Sequence, residues 1–154
     1  MTANTADFEQ RTKHTNVKFK KNDVLLARIP PCLDNGKTGY AYFLSEDEVA
    51  CGSTEFIVLR GRRVPSEFYC LACSYPFRVN AIKNMTGSSG RQKVQHSCLD
   101  KYAVPLPPNS ILDEFVQVVQ NNFDQIRNLM SQNASLAKAR DLLLPKLISG
   151  ELTV

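Results

Sequence analysis

The sequence predicts an α+β fold, a small mixed domain followed by one long C-terminal helix, and three observations carry that prediction. Compact apolar or aromatic runs at 23–29, 40–44 and 55–60 are separated by turn signals and read as short strands. The Pro105-Leu106-Pro107-Pro108 segment reads as a stiff, extended connector. Beyond it, apolar residues recur at alternating three- and four-residue steps for about four heptads. The resulting division is a polar lead-in at 1–18, read as disordered, a domain at 19–106, a connector at 107–109, and a helix with its tail at 110–154.

The first strand, Asp23 to Ile29, follows Lys18, Lys20 and Lys21 and is stopped by Pro30 and Pro31, which cannot donate to a ladder. Asp34-Asn35-Gly36 is a turn made of residues that tolerate positive φ. Tyr40 to Leu44 is the second strand, and Ser45-Glu46-Asp47-Glu48 a charged turn. Glu55 to Arg60 is the third, ended by Gly61, with Arg60, Arg62 and Arg63 read as a solvated turn. Phe68, Leu71, Ala72 and Tyr75, then Phe77, Ala81 and Ile82 after Pro76, show helical spacing and predict two short helices covering the sheet. Thr86 to Lys93 is too polar and glycine-rich for an element interior and reads as a flexible loop.

Ser110-Ile111-Leu112-Asp113 has the form of a capping box that opens the long helix. Its seam comprises Leu112, Phe115, Val119, Asn122, Ile126, Leu129, Asn133, Leu136 and Leu143, the two asparagines being of the kind that fix register and partner. Through Leu143 the helix spans roughly 50 Å at ~1.5 Å per residue. A stripe of that length needs a partner to bury it. The competing reading, a helix folded back on its own domain, is opposed by the proline connector.

Of 19 Lys and Arg residues, 15 precede residue 106, against 10 of the 15 acidic residues, so the net charge of +4 sits on the first part. A mildly basic globular part suits a phosphate backbone as partner, although many soluble proteins share it. Five cysteines without framework spacing, a polar N-terminus and no long apolar run point to a cytoplasmic protein with no membrane contact. Cys70 and Cys73 form a lone CxxC; with His14 and His96 isolated, no four-ligand zinc set completes it, and two buried thiols on a short helix are the plainer reading.

The sequence shows no catalytic constellation. Gly36-Lys37-Thr38 has the ending of a phosphate loop but lacks its earlier glycine, and neither Pro30-Pro31-Cys32 nor Pro107-Pro108-Asn109 supplies an adenine-methyltransferase motif. Glu46, Asp47 and Glu48 sit in a turn without the spaced acids and lysine of a metal nuclease. Binding is expected instead of bond-making. In the Thr86–Lys93 loop, Ser88, Ser89 and the backbone suit phosphate oxygens, while Arg91 and Gln92 are long enough to reach base edges, with Lys93 beside them. Lys37, Thr38 and Thr54 flank strand ends where loops face a ligand. The plain alternative is a Ser/Gly loop that is merely flexible.

These segments together resemble a known family. Leu26–Arg60, the helical region after it, the loop Met85–Val94, the connector Tyr102–Pro108 and the ending Ala139–Val154 are similar, in the same order, to the specificity subunits of type I restriction-modification systems. The likeness runs from about Phe19 to Val154. It implies a target-recognition domain truncated at its N-terminus, followed by a coiled-coil helix, and Pro30 departs from the smaller or hydroxylated residue expected there. It further implies sequence-specific recognition of double-stranded DNA, with modification (methyltransferase) and restriction (motor-nuclease) subunits as partners. S-adenosylmethionine, ATP and Mg are then expected in those subunits and no cofactor in this chain. A second specificity half or a second copy of the chain would pair with the helix. The alternative is an assembly module that pairs through the helix without reading DNA.

Overall fold

In a computed structural model the structure describes residue 13, residues 15–61 and residues 71–152. Two compact units result, Met1–Gln117 and Val118–Val154, and the division falls within the long helix. The first unit holds strands β1 (Val17–Lys20), β2 (Val24–Ala27), β3 (Thr38–Tyr40), β4 (Val49–Gly52) and β5 (Phe56–Leu59), then helix α1 (Tyr75–Lys83) and a 3₁₀ turn at His96–Cys98. Helix α2 runs from Asn109 to Ile148. The fold is α+β, as expected.

β2 is the centre of a three-stranded antiparallel sheet, β3-β2-β5, with Leu26 opposite Thr38 and Ile57. Val24, Leu26 and Ala27 are buried, and Leu25, on the opposite face from Val24 and Leu26, packs against the Phe19, Ala41 and Leu44 cluster, so both faces are covered, which explains a continuous apolar run. The strands are shorter than the apolar runs that announced them. Tyr40 to Leu44 is not a strand throughout. After Ala41 donates to Asp23 O (2.9 Å) the chain turns, and Tyr42 and Leu44 fill the core from the turn. Aromatic content there signals burial and not ladder pairing.

β1 and β4 form a second, two-stranded antiparallel sheet that the sequence reading missed, and β1 begins at Val17, inside the segment read as lead-in. Lys18 and Lys20 point outward while Phe19 joins Ala41 and Leu44 in a core cluster, against which Leu25, Phe43, Ala50 and Val58 pack. This period-2 pattern is only four residues long and its polar half is lysine.

Arg60 is more than a solvated turn residue: its side chain is partly exposed but pairs with a buried carboxylate. Asp23 is 1% exposed, and its two carboxylate oxygens accept from Arg60 Nε and Nη2, both at 2.6 Å. Lys20 N–H adds a third bond at 2.7 Å. The hydrogen bonds first, and the carboxylate charge second, raise the guanidinium pKa above its ordinary value against a small opposing effect of burial. Arg62, Arg63, Phe68, His14 and Cys70 lie outside the described residues. The CxxC is therefore described only at Cys73, which is exposed and not a buried thiol.

Residues 71–73 are helical, and Ser74 caps the next helix by accepting from Phe77 N–H at 3.4 Å, with Pro76 in its first turn. Two helical pieces thus follow the strands, with Tyr75 opening the second instead of closing the first. Phe77 packs edge-on against Tyr102 (centroids 5.2 Å, interplanar angle 89°), which ties α1 to the approach of the connector.

Helix α2 has 40 residues, about 60 Å at ~1.5 Å per residue. Leu112 N–H already donates to Pro108 O (3.1 Å), so Ser110 lies inside the first turn and is not its cap. The helix also passes Pro145, which lacks an N–H but whose carbonyl accepts from Ser149. It ends at Ile148, and just beyond it Gly150, at a φ of +75° where a side chain would be strained, donates its N–H to Leu147 O (3.2 Å).

Candidate functional site

Antiparallel pairing sets the residues that follow β2 beside those that precede β3 and β5, since Leu26 pairs with Thr38 and Ala27 with Phe56. Arg28, Lys37, Thr54 and Glu55 therefore meet at one end of the sheet. The Thr86–Lys93 loop is attached at the same end. Val94, fully buried, donates its N–H to Arg28 O (2.9 Å), and Lys93 Nζ lies 2.5 Å from Glu55 Oε1. Arg28 Nη2 also donates to Gln95 Oε1 (3.0 Å), and Arg28 N–H to Glu55 O (3.1 Å). Residues more than sixty positions apart are brought together by the register of one central strand.

The loop is more ordered than its composition suggests. Thr86 and Lys93 exchange two backbone hydrogen bonds of 2.9 Å each, and Arg91 N–H donates to Ser88 O at 2.9 Å. This closes a hairpin. Gly87 sits at φ +125°, and a Cβ there would stand 2.7 Å from Arg91 O, so the closure requires glycine. Ser88, Ser89, Gly90, Arg91 and Gln92 form an exposed tip. Neither Arg91 nor Lys37, which is also exposed, has an acidic partner among the described residues.

Two of the expected contact residues change character. Thr38 is 2% exposed and starts β3, so its hydroxyl cannot meet a macromolecule at the surface. Lys93 spends its charge on Glu55 and works as the anchor of the hairpin base. Thr54 remains exposed beside them. Arg28, Glu55 and Gln95 were missed, because each gains its place from a partner distant in sequence. Three buried polar atoms, Arg28 Nε, Thr38 Oγ1 and Glu55 Oε2, have no hydrogen-bond partner among the described residues, and all three belong to this sheet end. Such atoms are costly and uncommon, and they mark the region as more than a packed corner.

The helix seam divides. Leu112 is buried and, with Phe115, lines an apolar groove in the first unit together with Leu71, Val104, Leu106 and Ile111. Leu112 is thus committed to its own unit and not available for pairing. Val119 and Ile126 are half-buried, while Asn122, Leu129, Asn133, Leu136 and Leu143 are exposed. Phe123, off the expected seam, is buried. Among the described residues no cluster of three His, Cys, Asp or Glu side chains is placed to hold a metal, and no helix is long and apolar enough to cross a membrane.

The family model described as "type I restriction modification DNA specificity domain" matches residues 2–136. The chain is 32% identical over 95 residues to the type I restriction enzyme EcoEI specificity subunit of Escherichia coli, a stretch that is 60% of this chain and 16% of that protein. It is 31% identical over 97 residues to the type I restriction enzyme MjaIX specificity subunit of Methanocaldococcus jannaschii, covering 63% of this chain and 22% of that one. The matched part is less than a quarter of the length of either relative. No solved structure matches the chain.

Proposed function

Because the chain belongs to the type I restriction modification DNA specificity domain family, we propose that it recognises double-stranded DNA as part of a specificity subunit. The reading rests on the sheet end described above, where Lys37, Thr54 and an anchored hairpin tip carry exposed cationic, amide and hydroxyl groups. Arg91 offers the fork that fits guanine O6 and N7, and Gln92 the amide that fits adenine N6 and N7. Ser88, Ser89 and Lys37 serve the phosphates, which position the chain without reading sequence.

The chain binds and does not make or break bonds; modification and restriction subunits supply that chemistry, with S-adenosylmethionine, ATP and Mg, in the cytoplasm. The exposed leucines of α2 are the docking element for a second specificity half or a second copy of the chain. An assembly module that reads no DNA is the less favoured reading, since it leaves the hairpin tip and its anchoring without a use.

The test is to co-purify the chain with its modification subunit and measure duplex binding over a panel of sequences. Arg91→Ala is expected to lower discrimination at one base pair by about 5- to 150-fold, the equivalent of ~1–3 kcal/mol, with the fold unchanged. A folded variant with undiminished discrimination removes Arg91 from the interface. Equal affinity of the wild-type complex for every duplex refutes sequence reading.

A further inference from the structure

A second polar site lies next to the hairpin base. Asn80, Lys83, Asn84, Thr86, Ser97 and Lys101 line one groove, contributed by the end of α1, the first residue of the hairpin and the 3₁₀ turn with the residues after it. Lys83 and Lys101 are exposed, and among the described residues neither has an acidic partner. A lysine in the last turn of a helix is explained by the dipole alone, but Lys101 lies on another element and owes nothing to it. The helix end itself is quenched. The carbonyls of Asn80, Ala81 and Ile82 accept from Asn84 and Met85 N–H groups at 3.2–3.3 Å, Asn84 Nδ2 adds a bond to Asn80 O (2.8 Å), and Asn84 O accepts from the Cys98 thiol (2.7 Å). Two ammonium groups then face a groove whose negative dipole end is already satisfied, with a hydroxyl and amides between them. Among the described residues, Met85 and Cys98 are the weakly polar side chains that line it, beside six polar or charged ones.

We propose that this groove seats the phosphate backbone of duplex DNA, as a sequence-independent grip continuous through Thr86 with the tip that reads bases. The proposal rests on the DNA-recognition reading but concerns different residues and a different property. Two lysines on separate elements neutralise two phosphates, release two counterions, and give affinity without specificity.

The test uses the full chain alone with a short duplex of random sequence. Lys83→Gln with Lys101→Gln is expected to make the slope of log affinity against log salt shallower by about 1.8, and to weaken all duplexes alike. Both side chains are exposed, so the unfolding midpoint should not move. As a second readout, the duplex should slow alkylation of Cys98, which lines the same groove, and the double variant should lose that protection. An unchanged salt slope, Cys98 alkylated at the same rate with and without duplex, or no random-duplex affinity in the wild-type chain overturns the groove. Sequence discrimination, measured separately in the complex with the modification subunit, decides the DNA-reading proposal. A complex that discriminates while the groove variant behaves as wild type refutes the groove alone. Loss of discrimination with an altered salt slope refutes base reading and upholds the groove.

Discussion

Truncating Arg60 to alanine tests most directly the ion pair at the Val24–Leu59 end of the sheet. Asp23 is 1% exposed and holds three hydrogen bonds at 2.6–2.7 Å, two of them from Arg60. The variant would leave a carboxylate in the interior with one backbone N–H. Breaking a fully buried pair costs about 3–5 kcal/mol, and a hydrogen bond to a charged group about 1.5–3 kcal/mol. The Arg60 side chain is itself 58% exposed, so water will reach part of the space it vacates. The expected loss is therefore about 2–3 kcal/mol, or ~4–12 °C in Tm for a chain of this size. Urea unfolding followed by circular dichroism measures it, and replacing both residues with leucine should recover most of the loss, because no buried charge is then left unpaired. A loss under about 0.5 kcal/mol, or a double variant no better than Arg60→Ala, would refute the reasoning and show that solvent already satisfies Asp23.

Other consequences concern the interface and the helix. Glu55→Gln removes the anion that Lys93 neutralises, and should steepen the salt slope of random-duplex binding by about 0.9; an unchanged slope would show that Lys93 stands away from the phosphates. Leu136→Glu with Leu143→Glu places two charges on the exposed stripe. At ~1.5–3 kcal/mol per buried leucine, association measured by sedimentation should weaken by at least about 100-fold. Persistence of the complex would rule the helix out as the docking element.

Legibility in the sequence followed the range of the interactions. β2 and β5 were readable because their apolar runs report burial directly, and α2 because one pattern repeats from Leu112 to Leu143. β1 and β4 were not, since a four-residue strand carrying Lys18 and Lys20 looks like a charged linker until its partner is known. Local motifs misled where tertiary contacts intervened. Ser110 has the right form for a cap, but the helix starts before it. The site divides in the same way. Exposed tip residues such as Arg91 could be proposed from chemistry alone. By contrast, the Asp23–Arg60 pair spans 37 residues and Glu55–Lys93 38, and no local window contains both partners. Thr38 was misplaced because the end of a strand gives no indication of which side its hydroxyl takes.

The hairpin at 86–93 also bears on how such a chain can change. Its two ends are held by the backbone bridge, by Val94 on Arg28 and by Lys93 on Glu55, while a Cβ at Gly90 would meet nothing within 4 Å. Anchoring and display are thus assigned to different residues. The tip behaves as an exchangeable cartridge, in which side chains at 88, 89, 91 and 92 can be rewritten without disturbing the domain that holds them, while Gly90, at φ +78°, has to stay glycine. A binding preference located there is free to drift faster than the fold.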